Sequence, residues 1–327
     1  MGVAKSSNGA VREGLVTRST GSWYAVELDA ETTWRCRVKG KFRIAGLRTT
    51  NPIAVGDRVG VLADDDGDAD TGRIVELLPR RNYVLRQSPR RLHEVHILAA
   101  NVDQAILVTT VVEPMLKQGL IDRFLLSTEP YDIPTAIVFN KADLYDEHAH
   151  EVYEALAELY REIGYEVLLL SALDGRGAGA LRELLTDKTS IISGQSGVGK
   201  SSLLNAVEPG LGARVGELSA QSGKGMHTTT FAQMHTLTFG GRLIDTPGIK
   251  SLSFNHLQPK DVATNFREFF ALSHDCRFNN CLHREEPGCA VKAGVEAGEV
   301  SELRYVNYLT ILDEIESQNY WEIHDDL

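Results

Sequence analysis

The chain has 327 residues, 43% hydrophobic and 24% charged. These shares are those of a globular protein, which excludes a disordered or collagen-like chain, and the length predicts two or three domains. The formal net charge is −11, a balance that would repel nucleic acid if it were spread evenly. It is not spread evenly. Residues 35–48 carry Arg35, Arg37, Lys39, Lys41, Arg43 and Arg48, and residues 79–93 carry Arg80, Arg81, Arg86, Arg90 and Arg91, with no acid in either stretch. No apolar run reaches the roughly 18 residues of a membrane helix, and the first residues lack a secretory apolar core. Met1 to Ser6 fits the N-myristoylation pattern, but no second membrane signal accompanies it. The expectation is a cytoplasmic monomer without membrane attachment, opening on a frayed tail over 1–11.

Residues 12–78 read as short strands bounded by Gly, Asp or Asn: Ser22–Leu28, Thr33–Val38, Asp57–Leu62 and Gly72–Leu77. Such spacing predicts a small all-β barrel. Arg35, Arg37, Lys39, Lys41 and Arg43 are all odd-numbered, so at a period of two they share one strand face, a platform for nucleic acid. Arg80, Arg81, Arg90 and Arg91 extend it through a basic linker over 79–93, bracketed by Pro79 and Pro89. Cys36 is expected to be a buried thiol. The acidic run Asp64 to Asp70 is a solvated loop that lacks the later Glu of a calcium loop.

From residue 94 to 252 the pattern becomes α/β. Gln104–Val111, Thr135–Phe139, Glu166–Leu170 and Thr189–Ile192 are apolar runs with helical stretches such as Glu151–Ile163 between them, which predicts a parallel sheet covered on both faces. His235–Phe239 and Arg242–Asp245 read as a hairpin turned by Gly240-Gly241. Residues 253–327 are helical and polar, interrupted by a Cys/His cluster.

The chemistry lies in four motifs. Gly194-Gln195-Ser196-Gly197-Val198-Gly199-Lys200-Ser201 is a full phosphate-binding loop between a strand and a helix, with Ser202 next on the helix. Its backbone N–H groups and the helix N-terminus suit phosphate oxygens, Lys200 suits the β- and γ-phosphates, and the Ser201 hydroxyl suits Mg²⁺. Asp245-Thr246-Pro247-Gly248 supplies a carboxylate for the magnesium shell and a close backbone N–H for the γ-phosphate. Asn140-Lys141-Ala142-Asp143 follows a strand. Asp143 can accept from N1–H and N2–H₂ of guanine, donors that adenine lacks. Asn140 can bond the base and tie nearby loops together, the Lys141 stem can cover the base's face, and Ser171-Ala172 sits where a loop could bond guanine O6. The glycine-rich stretch 208–226 ends in His227-Thr228-Thr229-Thr230. One threonine is expected to complete the magnesium shell; Thr229 is favoured, with Thr228 and Thr230 open. The fourth motif, Cys276-x₄-Cys281-x-His283-x₅-Cys289, is a closed Cys₃His set suited to one structural Zn²⁺.

The guanine motifs precede the phosphate loop, the reverse of the usual GTPase order, so the set is complete but circularly permuted. On these motifs the chain resembles the circularly permuted, ribosome small subunit-dependent GTPase A family (RsgA/YjeQ). That resemblance implies an N-terminal OB-fold, a permuted P-loop GTPase domain and a C-terminal zinc domain. It further implies binding to the small (30S) ribosomal subunit and its 16S rRNA, GTP hydrolysis to GDP stimulated by the subunit, and a role in late subunit maturation. The alternative is a GTP-switched rRNA-binding scaffold in which turnover is incidental. Ile249 stands where many GTPases place a water-orienting Gln, and His227 is the expected replacement, with a ribosomal group as the alternative.

Overall fold

A computed structural model of the chain describes residues 10–38, 51–64, 70–87, 95–211, 232–245 and 257–324. Five strands, β1 (Arg12–Ser19), β2 (Tyr24–Glu27), β3 (Thr33–Val38), β4 (Arg58–Ala63) and β5 (Thr71–Leu77), follow one another in the hydrogen-bonded order β1-β2-β3-β5-β4. Pairing of β1 with β4, from Arg12 opposite Val61 to Leu15 opposite Arg58, closes the barrel and removes its open edges. Alternation decides what faces inward. In β3, Cys36 is fully buried with Val16, Val26, Val61 and Ile74, whereas Thr33, Arg35 and Arg37 are exposed. Burial pushes the Cys36 thiol up to about 12, so it packs as a small apolar group.

The basic linker expected over 79–93 is in part a strand. β6 (Tyr83–Gln87) pairs antiparallel with β7 (Val95–Ala100). Val84 and Leu85 are buried against Ala54, Val55 and Ile97, an apolar demand outweighing the flanking prolines. Arg80 is a second correction, because its guanidinium points inward. Nε and Nη2 each lie 2.6 Å from a carboxylate oxygen of Asp57, and Nη2 also donates to the Pro52 carbonyl at 2.8 Å. Asp57 is fully buried, and a buried carboxylate needs such a partner. The side chain is therefore not available to RNA.

The second unit is a mostly parallel sheet in the order β10-β9-β8-β11-β13-β12. It comprises β8 (Gln104–Thr109), β9 (Thr135–Phe139), β10 (Glu166–Leu169), β11 (Thr189–Gly194), β12 (Gln233–Thr236) and β13 (Arg242–Asp245), with only β12 antiparallel. Helices α1 (Leu120–Leu126) and α2 (Glu147–Glu162) cover one face, and α3 (Ala178–Leu185) and α4 (Lys200–Val207) the other. Coverage on both faces is why β8 and β9 are buried along their whole length. The β12–β13 turn is longer than the expected Gly-Gly pair: the strands stop at Thr236 and Arg242, and Gly240 and Gly241 both take positive φ within the five-residue connection. At its free edge β12 meets β1 through Gln233 and Arg18, and the Arg242 guanidinium pairs with Glu27 at 2.5 Å, so barrel and sheet are continuous.

Helices α5 (Pro259–Thr264), α6 (Arg267–Ser273), α7 (Ala290–Ala297) and α8 (Glu302–His324) form the third unit. Its core includes Leu257, Phe266, Phe269, Val291, Tyr308 and Ile311, and it takes in Leu126 from α1.

Candidate functional site

Four strand ends of the parallel sheet, those of β9, β10, β11 and β13, carry the nucleotide motifs to one edge, where ligands of open α/β sheets bind. Gly194 ends β11 directly opposite Val108 of β8, and Asn140 follows β9, its N–H donating to the Thr109 carbonyl at 2.8 Å. The phosphate loop and the guanine motif then lock together. Asn140 is 1% exposed, and its Nδ2 donates to the Val198 carbonyl at 2.8 Å. Its Oδ1 accepts from the Ala172 N–H at 3.3 Å. One side chain thus joins Asn140-Lys141-Ala142-Asp143, the phosphate loop and the Ser171-Ala172 loop. The join explains a glycine: Gly199 has φ of 89°, and a Cβ there would lie 2.4 Å from Asn140 Nδ2 and 3.9 Å from Lys141 Cε.

Asp143 is exposed, and Ser171 Oγ donates to its Oδ1 at 2.5 Å. Ser171 itself accepts from the Leu173 and Asp174 N–H groups. The Ser171 hydroxyl thus orients Asp143 and keeps the Ser171-Ala172 loop beside it. Lys141 takes a left-handed φ of 63° as the chain turns from β9. Lys200, at the start of α4, folds back so that Nζ donates to the carbonyls of Gly194 at 2.6 Å and Gln195 at 3.0 Å. Burial lowers its pKa, opposed by the charge of Asp245. Burial likewise raises Asp245 to about 6 at the end of β13, opposed by Lys200. Ser196, Gly197, Ser201 and Ser202 are exposed at the loop's outer side and the first turn of α4, while Val198 is fully buried beneath them. His227, Thr229 and Gly248 lie outside the described residues, as do Lys39, Lys41, Arg43, Arg90 and Arg91.

Tyr145 escaped the motif reading. Its hydroxyl donates to the Asn140 carbonyl at 3.1 Å and accepts from the Val111 N–H at 3.0 Å, bracing the turn from behind. A tyrosine two residues beyond Asp143 carries no sequence signal for that role.

Cys276, Cys281, His283 and Cys289 converge with all four ligand atoms within 4.8 Å of one another. Tetrahedral Zn–S bonds of about 2.3 Å set neighbouring sulfurs roughly 3.8 Å apart, so the set fits one such ion with little closure. His283 Nδ1 faces the sulfurs at 3.4 Å (Cys289) and 3.7 Å (Cys276). Backbone N–H groups of Ala290 and Lys292 point at the Cys276 and Cys289 sulfurs, as thiolate ligands require. Burial lowers His283 and so favours the neutral, ligating imidazole.

On the barrel, Arg35 and Arg37 both pack on Trp23, their guanidinium carbons 4.0 and 3.9 Å from its ring centroid. Arg81 keeps a 60% exposed side chain while pairing with Asp103 at 2.6 Å.

The family model described as RsgA GTPase matches residues 77–255, and that described as RsgA N-terminal domain matches residues 13–70. Among curated relatives, the small ribosomal subunit biogenesis GTPase RsgA of Bacteroides fragilis is 46% identical over 94% of this chain and 98% of its own length. Its namesake from Flavobacterium johnsoniae is 45% identical over 92% of each chain. The crystal structure of YjeQ from Thermotoga maritima superposes with a TM-score of 0.74 at 38% identity, covering 93% of this chain and 98% of that one. YloQ, described as a circularly permuted GTPase, superposes at 0.71 with 33% identity over 97% and 99%. With its guanine motif ahead of its phosphate loop on one sheet edge and these likenesses running end to end, the chain belongs to the RsgA GTPase family.

Proposed function

We propose that this chain binds GTP, hydrolyses it to GDP and phosphate, and does so on the small ribosomal subunit during its maturation. The observation that carries the reading is Asn140, which fastens guanine motif and phosphate loop together so that base and phosphates are held by one rigid edge. Both curated relatives named above are small-subunit biogenesis GTPases. Mg²⁺ would be held by Ser201, Asp245 and Thr229; a buried carboxylate raised by burial, beside Lys200, suits a cation. When bound, the ion neutralises charge developing on the phosphates. Lys200 would swing from the Gly194 and Gln195 carbonyls onto the β- and γ-phosphates, and Asp143 would select guanine. The Cys₃His set would hold Zn²⁺ as a closed, structural site, one per chain. The units 12–78, 94–252 and 253–327 would act as rRNA-binding barrel, GTPase and zinc domain of a cytoplasmic monomer, with Arg35, Arg37 and Arg81 toward 16S rRNA. His227 would position the attacking water.

Turnover of GTP by the purified chain, with and without small subunits, tests the reading. Stimulation by the small subunit and none by the large one is expected; equal turnover of ATP, or no stimulation, overturns it. His227→Ala should leave GTP affinity and subunit binding intact while stimulated turnover falls at least tenfold, about 1.4 kcal/mol of barrier.

A further inference from the structure

Between the α/β sheet and the zinc-cluster unit lies a buried network of charges that none of the nucleotide chemistry uses. Asp122, in the first turn of α1, is fully buried. Its Oδ1 accepts from Arg304 Nη1 at 2.7 Å and from the Tyr160 hydroxyl at 2.6 Å, and its Oδ2 accepts from Asn307 Nδ2 at 2.5 Å. Arg304, on α8, is 1% exposed and reaches Glu268 with Nε and Nη2 at 2.7 and 2.8 Å. A buried ion network of this kind gains little over an apolar contact, but it penalises any other register severely, because displacement strands a charge. It holds two units in one relation rather than merely holding them together.

Each side of that relation leads to a site. On the zinc side, the same helix donates from the Tyr305 hydroxyl to the His283 carbonyl at 2.7 Å and from Tyr308 to the Leu282 carbonyl at 2.6 Å. Arg304 and Asn307 therefore directly precede, in the helix, the two tyrosines that grip the metal-binding loop. On the nucleotide side, Gly119 caps the start of α1, and a Cβ there would lie 3.5 Å from Asn307 Oδ1. The connection from β8 into α1 runs beside the phosphate loop, where a Cβ on Gly197 would lie 3.8 Å from Pro114 Cδ. The chain's own path adds a second link: Asp245 ends β13 at the nucleotide site, and Leu257 is buried in the helical core. The register between units fixes the separation of those two ends.

We infer that Asp122, Arg304 and Asn307 are positioning residues that hold the zinc-cluster unit and α1 in the one relation that subunit-stimulated turnover at the GTP site requires. This rests on the proposed subunit-stimulated hydrolysis. The network touches neither of the two sites; it sets where α1 and the anchor at Leu257 lie relative to the phosphate loop.

The test uses the full chain, GTP and purified small subunits. Asp122→Asn places an amide against Asn307 Nδ2, donor facing donor, while keeping the side chain's shape. Adding Asn307→Asp to it returns a carboxylate and reverses that donor–acceptor pair. For Asp122→Asn we expect zinc content, subunit affinity, KM for GTP and basal turnover within twofold of the parent, and stimulated kcat reduced at least tenfold. The double variant should recover to within threefold. Wild-type protein that shows no stimulation removes the proposed function itself. Wild-type stimulation retained in Asp122→Asn removes only this inference, as does a loss matched by equal loss of subunit affinity or not recovered in the double variant. If Asp122→Asn does not fold, Asn307→Ala, which deletes one donor to Asp122, is judged by the same single-variant criteria.

Discussion

Arginine serves opposite purposes at the two ends of this molecule. On the barrel, Arg35 and Arg37 lie exposed along β3 and stack on Trp23. Between the sheet and the C-terminal helices, Arg304 is enclosed by Asp122, Glu268 and the Phe266 ring, its guanidinium carbon 4.4 Å from that ring's centroid. The first kind of arginine remains in water and can meet an external anion at small cost; the second has left water and is held only by its partners. The difference is one of desolvation, so removing each should fail differently. The buried one should cost stability and the exposed ones only binding.

The largest effect should come from Arg304→Ala. It strands Asp122 and Glu268 at a buried interface, a loss of roughly 3–5 kcal/mol. Denaturant unfolding should show the midpoint shifted well below that of the parent. A midpoint within experimental scatter of the parent would erase the contrast with the barrel arginines.

Asp143→Asn comes next. Asp143 is exposed until a base covers it, so its loss should spare the fold. GTP affinity should fall by about 2–4 kcal/mol, the value of a paired, charge-assisted contact, read by titration with GDP or GTP. Discrimination against adenine nucleotides should fall with it.

The nucleotide motifs and the Cys/His cluster were legible from residue spacing because their groups are local: Gly194 to Ser201 in one loop, Asp143 after one strand, and Cys276, Cys281, His283 and Cys289 within 14 residues. β3 was legible because alternation alone places Cys36 inward and Arg35 and Arg37 outward. Arg80 was not. Beside Arg81 in a basic run it reads as a second exposed cation, and only the fold brings Asp57 beneath it. Strand β6 was hidden by the same basic run. Asp122 and Arg304, 182 residues apart, were hidden for the general reason that pairing across units leaves no periodicity in either segment.

On the exposed side of the comparison, Trp23→Ala with Arg35→Ala and Arg37→Ala should leave the unfolding midpoint and GTP affinity unchanged. Subunit affinity should weaken, by roughly 1–3 kcal/mol if one base stacks on this surface, and its salt dependence should flatten as phosphate contacts are lost. Unaltered subunit binding would move the RNA contact off β3.

The smallest effect should be at Ser171, and it sharpens what separates a group that reads a ligand from one that holds the reader. Ser171 is 1% exposed and its hydroxyl gives Asp143 one hydrogen bond while collecting two N–H groups from its own loop. Ser171→Ala removes all three, yet Asp143 is exposed and water can replace the lost donor. The two N–H groups are partly buried and less easily rehydrated, so the cost falls mainly on the loop's order. The expected loss of GTP affinity is about 0.5–1.5 kcal/mol, the net value of one hydrogen bond, with guanine-over-adenine selectivity largely kept because the carboxylate remains. A loss as large as that of Asp143→Asn would mean that Ser171 meets the base directly. Titration of GTP and ATP against both variants under one condition decides between the two.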